Sequence, residues 1–189
     1  EWKDGEFSTG HIAMLTRMLA YGPQAAALLP LQFSEANKGH AESLMALSEM
    51  VGKDISDMIM HGMQLSVMCS EDVDELVIDP ADQNLLLGTD IVEVMKAQCA
   101  VWPHKKRPAD FRAPLSGNVP VLILSGEFDP VTPPRYGDAV AKHLPNSKHI
   151  IVKGSGHNVL PIGCMPKLFA TFLDTADAKQ LDINCIEKL

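Results

Sequence analysis

Apolar side chains recur at helical spacing through the first third of the chain. Three such segments each end at a glycine, where a helix commonly stops: 11–22, 23–39 and 41–52. Asp54 is a suitable N-cap for one more short helix, and no strand-like alternation appears before Met63. Residues 1–62 are therefore predicted to form a helical portion of their own.

From Met63 onward, short apolar runs alternate with helical segments. The apolar runs are predicted strands: 64–69, 119–126 and 147–154. The segments with helical spacing are predicted helices: 84–102, 133–144 and 163–176. Thr132 is expected to cap the second of these helices. Strands that alternate with helices pair in parallel, so residues 63–189 are predicted to form an α/β core with three parallel strands.

Composition and charge argue against several classes of function. The chain has 189 residues, of which 46% are hydrophobic and 21% charged, as is typical of a globular protein that buries its own core. The net charge of −8 argues against binding to nucleic acid or to an anionic membrane surface. No apolar run approaches the roughly 20 residues that span a bilayer. No Cys/His cluster suggests a metal, and no cofactor is expected.

Two polar residues stand at the ends of two predicted strands. Asp129 closes the segment 119–129, and His157 closes the segment 148–157. The carboxyl ends of parallel strands meet at one edge of a sheet, where the active sites of open α/β sheets lie. We therefore expect the two side chains to lie within hydrogen-bonding distance. An acid that precedes the histidine is also the order of the Ser, Asp and His triad in α/β-hydrolases.

The residues around this pair fit the demands of a triad, in which the carboxylate orients a histidine that acts as general base. Gly126 permits a tight exit from the strand, and prolines at 130, 133 and 134 stiffen the turn after Asp129. Small residues at 154–156 let the chain turn sharply before His157. The alternative, that Asp129 is a simple turn residue, is less favoured because His157 stands in a matching position.

The nucleophile of such a triad is absent, because no G-x-S-x-G occurs in the 189 residues. The chain is therefore interpreted as the C-terminal part of a serine hydrolase that is inactive by itself. The remaining histidines lack the context of His157 and are expected to be surface or helix residues: His11, His40, His61, His104, His143 and His149.

Four cysteines permit three disulfide pairings. The pairing of sequence neighbours is favoured: Cys69 with Cys99, and Cys164 with Cys185. Each bridge would close a loop of tens of residues and stabilise the fold by roughly 3 kcal/mol. Four buried free thiols in a cytosolic enzyme are the open alternative.

Three segments resemble one family of enzymes. These are GEFDPVTPP at 126–134, GSGHNVLPIGC at 154–164 and the tail AKQLDINCIEKL at 178–189. Together they resemble the C-terminal region of tripeptidyl aminopeptidase and proline iminopeptidase-like α/β-hydrolases. SVMCSEDV at 66–73, CAVWP at 99–103 and the Tyr21 region are similar to that family more weakly.

The resemblance implies a serine peptidase that releases amino acids or short peptides from peptide N-termini. It implies Asp129 as the orienting acid, His157 as the base, and a serine in a missing N-terminal half. It also implies a periplasmic or secreted protein with the two disulfides given above, and residues 1–62 as part of a helical cap. Asn158 departs from the family, where a small residue such as glycine is common after the histidine.

Glu71 and Asp72 follow the predicted strand at 64–69 and are expected at the same sheet edge. A carboxylate there would pair with the free amine of a peptide, since a buried ammonium group needs a counter-charge. The alternative is that both are capping or solvated loop acids.

The expected partners are a peptide substrate and the missing N-terminal half of the same protein. The strand at 64–69 would also leave an exposed sheet edge, through which the chain could associate with itself. An esterase or another acyl hydrolase of the same fold is the alternative enzyme, because the acid and base do not specify the substrate. A non-catalytic fragment or module is the alternative outside enzymes.

Overall fold

The structure is a computed structural model that describes residues 8–85 and 88–188. Eight α-helices lie in the described chain: α1 Thr9–Leu19, α2 Pro23–Ala26, α3 Leu29–Asn37, α4 Glu42–Met58, α5 His61–Glu71, α6 Asp90–Val101, α7 Pro134–Ala141 and α8 Met165–Thr175. Two strands, β1 Val121–Gly126 and β2 Ser147–Val152, complete the regular structure together with short 3-10 turns. The described regular structure before β1 is therefore helical as far as Val101, and both strands follow it.

The described residues form two compact units. The first contains residues 8–16 and 32–112, and the second contains residues 17–31 and 113–188. A short segment from the predicted helical portion is therefore part of the same unit as the strands. The predicted domain boundary after residue 62 stays a prediction.

Two helix boundaries near residue 52 were wrongly predicted. Helix α4 continues through Gly52 and Asp54 to Met58, so Gly52 does not end a helix and Asp54 does not cap one. A glycine inside a helix costs only about 1 kcal/mol, and the neighbouring Met, Ala, Glu and Lys residues favour helix strongly enough to continue it.

The predicted strand at 64–69 is wrong, because these residues belong to helix α5. A short apolar run predicted the strand, but in the helix only Met68 and Cys69 of this run are buried. A helix satisfies its own backbone hydrogen bonds, whereas a strand here would need a partner strand. The expected sheet edge at 64–69 is therefore absent, and the described sheet has two strands rather than three.

Strands β1 and β2 pair in parallel, with Val121 opposite Ser147 and Gly126 opposite Val152. Helix α7 connects them, which is the crossover that parallel strands require. One face of the sheet packs on an apolar core that α8 completes: Ile150, Val152, Val159, Met165 and Leu168. This βαβ arrangement brings the ends of β1 and β2 side by side.

Both predicted disulfides are present, and no cysteine is free. The bond between Cys69 and Cys99 joins α5 to α6, with an S–S distance of 2.01 Å. The bond between Cys164 and Cys185 joins the start of α8 to the C-terminal tail, with an S–S distance of 2.09 Å. The alternative of four free thiols is wrong.

A hydrogen-bonded chain of three side chains connects α7 to both strands. The Asp138 carboxylate accepts a hydrogen bond from Nδ1 of His149 at 2.9 Å, and the Ser125 hydroxyl donates to Nε2 of His149 at 2.9 Å. The His149 side chain is only 8% exposed, so its prediction as a surface or helix residue is wrong. Gly137 makes room for the imidazole, because a Cβ there would lie 2.5 Å from two ring atoms.

We predict opposite effects for two glycine-to-alanine substitutions inside helices. Gly137→Ala should lower stability, because its Cβ would displace an imidazole that is hydrogen-bonded at both nitrogens. Gly52→Ala in α4 should raise stability by up to about 1 kcal/mol, since open space surrounds the site and alanine favours helix. Urea denaturation followed by circular dichroism checks both. A stabilising Gly137→Ala would contradict the described contact.

Candidate active site

The turns that follow β1 and β2 are held together by backbone hydrogen bonds. The Glu127 N–H donates to the Val152 carbonyl at 3.0 Å, and the Phe128 N–H donates to the Ser155 carbonyl at 2.9 Å. Gly126 lies so close to the second turn that a Cβ there would be 1.9 Å from the Gly156 carbonyl oxygen. Only glycine permits this approach, which brings the next residues of both turns together.

Asp129 and His157 meet at this edge of the sheet, as predicted. Nδ1 of His157 lies 2.9 Å from Oδ2 of Asp129. The Asp129 side chain is 4% exposed and the His157 side chain is 35% exposed. The acid is therefore buried behind an imidazole that solvent and other molecules can reach.

Three further hydrogen bonds hold the Asp129 carboxylate. The backbone N–H groups of Val131 and Thr132 donate to Oδ1 at 2.8 and 2.9 Å. The Thr132 hydroxyl donates to Oδ2 at 2.9 Å, so it supports the acid. Pro133 stands at the N-cap of α7 instead, which corrects the prediction of Thr132 as the cap. The sequence indicated the support of Asp129 only by spacing. Thr132 lies three residues after Asp129, within a turn that side-chain hydrogen bonds can stabilise.

These contacts keep Asp129 ionised. Burial by itself raises the pKa of this carboxyl group, because it disfavours the charged form. Hydrogen bonds from the Thr132 N–H, from His157, from the Val131 N–H and from the Thr132 hydroxyl lower it more, and the net pKa is about 2. An ionised carboxylate can only accept, so Nδ1 of His157 is the donor. Nε2 of the neutral imidazole is then left as an acceptor, the state that a general base requires.

A cavity of about 420 Å³ opens beside the pair. Its wall combines the two polar side chains with mostly apolar neighbours: Leu124, Gly126, Thr132, Asn158, Val159 and Leu160. A reacting group placed in this cavity would have the imidazole within reach.

Asn158 follows the histidine in a left-handed backbone conformation, with φ of 67°. Glycine adopts this conformation without strain, and asparagine does so more readily than other side chains. Asn158 therefore differs in residue type from the glycine that is common at this position, but it keeps the left-handed backbone that a glycine adopts easily.

Within the described residues, no serine or cysteine side chain forms a hydrogen bond with His157. Ser125 is only 6% exposed, and its hydroxyl donates to His149. The chain Ser125–His149–Asp138 therefore has the residue types of a triad but no access for a substrate, and it serves as a structural tie. The described residues thus contain a hydrogen-bonded Asp–His pair, and none of their serine or cysteine side chains is bonded to its imidazole.

Glu71 and Asp72 lie at the end of helix α5 in the first compact unit. The Glu71 carbonyl accepts hydrogen bonds from the guanidinium groups of Arg107 and Arg112. Nη2 of Arg112 also lies 2.7 Å from Oδ1 of Asp72. Because no strand precedes these acids, the reason for placing them at the sheet edge is lost, and their substrate-binding role stays a prediction.

Asp72 also lines a cavity of about 650 Å³ within the first unit. Arg112 and Glu75 accompany it on the polar side, and the rest of the wall is mainly apolar: Met63, Val67, Met68, Leu76 and Met95. In the part of the chain that is described, this cavity included, no group of His, Cys, Asp and Glu residues is arranged to hold a metal ion. None of the described helices is both long enough and apolar enough to traverse a bilayer.

The sheet topology and the Asp–His pair at its carboxyl edge define the C-terminal part of an α/β-hydrolase fold. A family model described as TAP-like protein matches residues 84–185, which is more than half of the chain. The chain therefore belongs to this family of tripeptidyl aminopeptidase-like α/β-hydrolases. No curated protein and no solved structure gave a match.

We predict a pH-dependent contribution of Asp129 to stability. Its folded pKa of about 2 lies below the ordinary 3.8, so the stabilisation is present above pH 3.8 and is lost as the pH falls through 2. The free energy of unfolding of the native chain should exceed that of Asp129→Asn at pH 6. This gap should narrow by about 2 kcal/mol as the pH falls from 4 to below 2. Denaturation at a series of pH values checks it, and a constant gap would contradict it.

A second prediction concerns the left-handed backbone at position 158. Asn158→Gly should leave stability unchanged or raise it, whereas Asn158→Val should lower it by about 1–2 kcal/mol because a β-branched side chain disfavours positive φ. Thermal unfolding of both variants is the measurement. Equal stability of the two variants would show that the backbone at 158 is not held in this conformation.

Proposed function

We propose that this chain supplies the acid and the base of a serine aminopeptidase, with Asp129 as the orienting acid and His157 as the base. The observation that carries the proposal is the buried Asp129 carboxylate bonded to Nδ1 of a His157 imidazole that is itself partly exposed. The intact enzyme would release amino acids or short peptides from the N-terminus of a peptide. Membership of the TAP-like family supports a hydrolase of this kind.

The nucleophile is proposed to be a serine on a segment outside these 189 residues, belonging to the N-terminal half of the same protein. Nε2 of His157 would take the proton of this serine as its oxygen attacks the scissile carbonyl. The imidazolium, stabilised by Asp129, would then give that proton to the leaving amine, leaving an acyl-enzyme. Water would attack the acyl group in the same way, release the acid product and regenerate the serine.

The cavity beside His157 supports a nucleophile delivered from outside the described residues. It is lined by His157 and has room for a side chain, and Leu124, Val159 and Leu160 give it apolar walls. A second copy of this chain is a less favoured occupant, because it would bring no nucleophile.

Two features support finer parts of the proposal. The disulfides Cys69–Cys99 and Cys164–Cys185 are compatible with an exported protein, either periplasmic or secreted, because disulfides persist in oxidising compartments. The carboxylates of Glu71 and Asp72 are proposed to bind the substrate amine. Asp72 lines a cavity together with Glu75 and Arg112, so a substrate amine there would share the Asp72 carboxylate with Arg112.

An esterase or another acyl hydrolase of this fold is the alternative function. It shares the acid, the base and the acyl-enzyme, and it differs in needing no free amine on the substrate. Comparison of amino-acyl substrates with their N-acetylated forms distinguishes the two. An aminopeptidase should lose most of its kcat/KM on acetylation, whereas an esterase should not.

The proposal is tested on the full product of the gene, including any segment encoded upstream of Glu1. His157→Ala and Asp129→Asn should each lower kcat on amino-acyl chromogenic amides by about four orders of magnitude or more. His143→Ala replaces an exposed histidine of the same unit and should have no effect. The 189-residue chain alone should show no turnover that depends on His157. Such turnover, or a full product that is indifferent to His157→Ala, would contradict the proposal.

A further inference from the structure

Tyr21 makes two contacts with the histidine of the candidate site. Its carbonyl oxygen accepts a hydrogen bond from the His157 backbone N–H at 2.7 Å. Its ring packs edge to face against the imidazole, with ring centroids 5.1 Å apart and an interplanar angle of 74°. Both contacts lie within the second compact unit, which includes residues 17–31.

The chain is shaped to allow this contact. A Cβ on Gly156 would lie 2.2 Å from the Tyr21 carbonyl oxygen, so only glycine lets the two backbones approach this closely. Tyr21 itself lies in a tight turn between α1 and α2, where its N–H donates to the Met18 carbonyl at 3.2 Å and the Gly22 N–H donates to the Leu19 carbonyl at 3.3 Å. Tyr21 therefore lies in a short hydrogen-bonded turn directly after α1 and not in a long loop.

The imidazole needs such a neighbour. Its Nδ1 must stay on Asp129 while its Nε2 remains open, yet the His157 side chain is 35% exposed and one hydrogen bond alone does not fix a ring. The imidazole is hydrogen-bonded to Asp129 and packs against the ring of Tyr21. The tyrosine ring limits rotation of the imidazole away from Asp129.

We propose that Tyr21 is a positioning residue for His157, so that the segment 17–31 and the general base are held as one body. The role in catalysis rests on the proposed function, whereas the effect on the imidazole does not. The ring is the part of the side chain that acts on His157, because it packs against the imidazole, whereas the hydrogen bond to the Tyr21 carbonyl does not involve the side chain.

The first test measures the tautomer of His157 in the 189-residue chain by ¹⁵N NMR of the imidazole above its titration range. The native chain should show Nδ1 protonated. Tyr21→Ala should lower the ratio of the Nδ1–H tautomer to the Nε2–H tautomer about three- to ten-fold. This factor corresponds to the interaction free energy of one aromatic pair. Tyr21→Phe should retain the native ratio. Tyr136→Ala, which removes an exposed tyrosine of the same unit, is the matched control and should also retain it.

Two further variants keep the test decisive if Tyr21→Ala fails to fold. Tyr21→Leu keeps apolar bulk without an aromatic edge, and Gly156→Ala keeps the tyrosine but pushes its backbone away. Both should lower the Nδ1–H ratio. The proposal would be overturned if Tyr21→Leu and Gly156→Ala both kept the native ratio. It would also be overturned if Tyr21→Phe lowered the Nδ1–H ratio as much as Tyr21→Leu.

The second test uses the full gene product and kinetics. Tyr21→Leu should lower kcat by the same three- to ten-fold factor with little change in KM, and Tyr21→Phe should restore kcat. If Tyr21→Leu changes the tautomer ratio but the native full-length product has no hydrolase activity, the effect of Tyr21 on the imidazole stands and the proposed function is rejected. A normal kcat in Tyr21→Leu would reject the positioning role alone.

Discussion

The candidate site depends on keeping one buried carboxylate ionised. Asp129 is almost fully removed from water, and burial by itself would favour its neutral form. Two backbone N–H groups, the Thr132 hydroxyl and the imidazole of His157 reverse that preference. The negative charge in turn fixes the imidazole proton on Nδ1 and leaves Nε2 as an acceptor. The tight turn after β1 therefore leaves Nε2 of His157 in the state that the proposed general base needs.

Glycines at the site let backbone segments approach each other more closely than any residue with a Cβ would permit. Gly126 brings the turn after β1 against the turn after β2, and Gly156 brings the second turn against Tyr21. Each would place a Cβ within 2.2 Å of a carbonyl oxygen, so the three segments meet backbone to backbone. This packing connects Asp129, His157 and the segment 17–31 in one compact unit. The same unit has a second Ser–His–Asp chain, in which Ser125 and His149 are buried, and it ties α7 to the strands.

The sequence was sufficient to predict the strands that end near Asp129 and His157, because β-branched apolar runs followed by glycine and proline specify both the strand and its exit. It also predicted both disulfides. It could not predict the helix at 64–69, because a short alternating run is equally compatible with either structure and only its partners decide. Thr132, His149 and Tyr21 were missed for a related reason. Their roles come from contacts between segments distant in sequence or from the detailed shape of one turn, which periodicity does not report.

In the proposed mechanism, this chain provides an acid and a base for a serine that lies elsewhere in the protein. The most direct measurement is to label the full gene product with a fluorophosphonate, which traps activated serines, and to map the modified residue by mass spectrometry. We expect one labelled serine outside these 189 residues, with labelling lost in the His157→Ala variant. Labelling of Ser125 or of another serine within this chain, or labelling that does not depend on His157, would contradict the account.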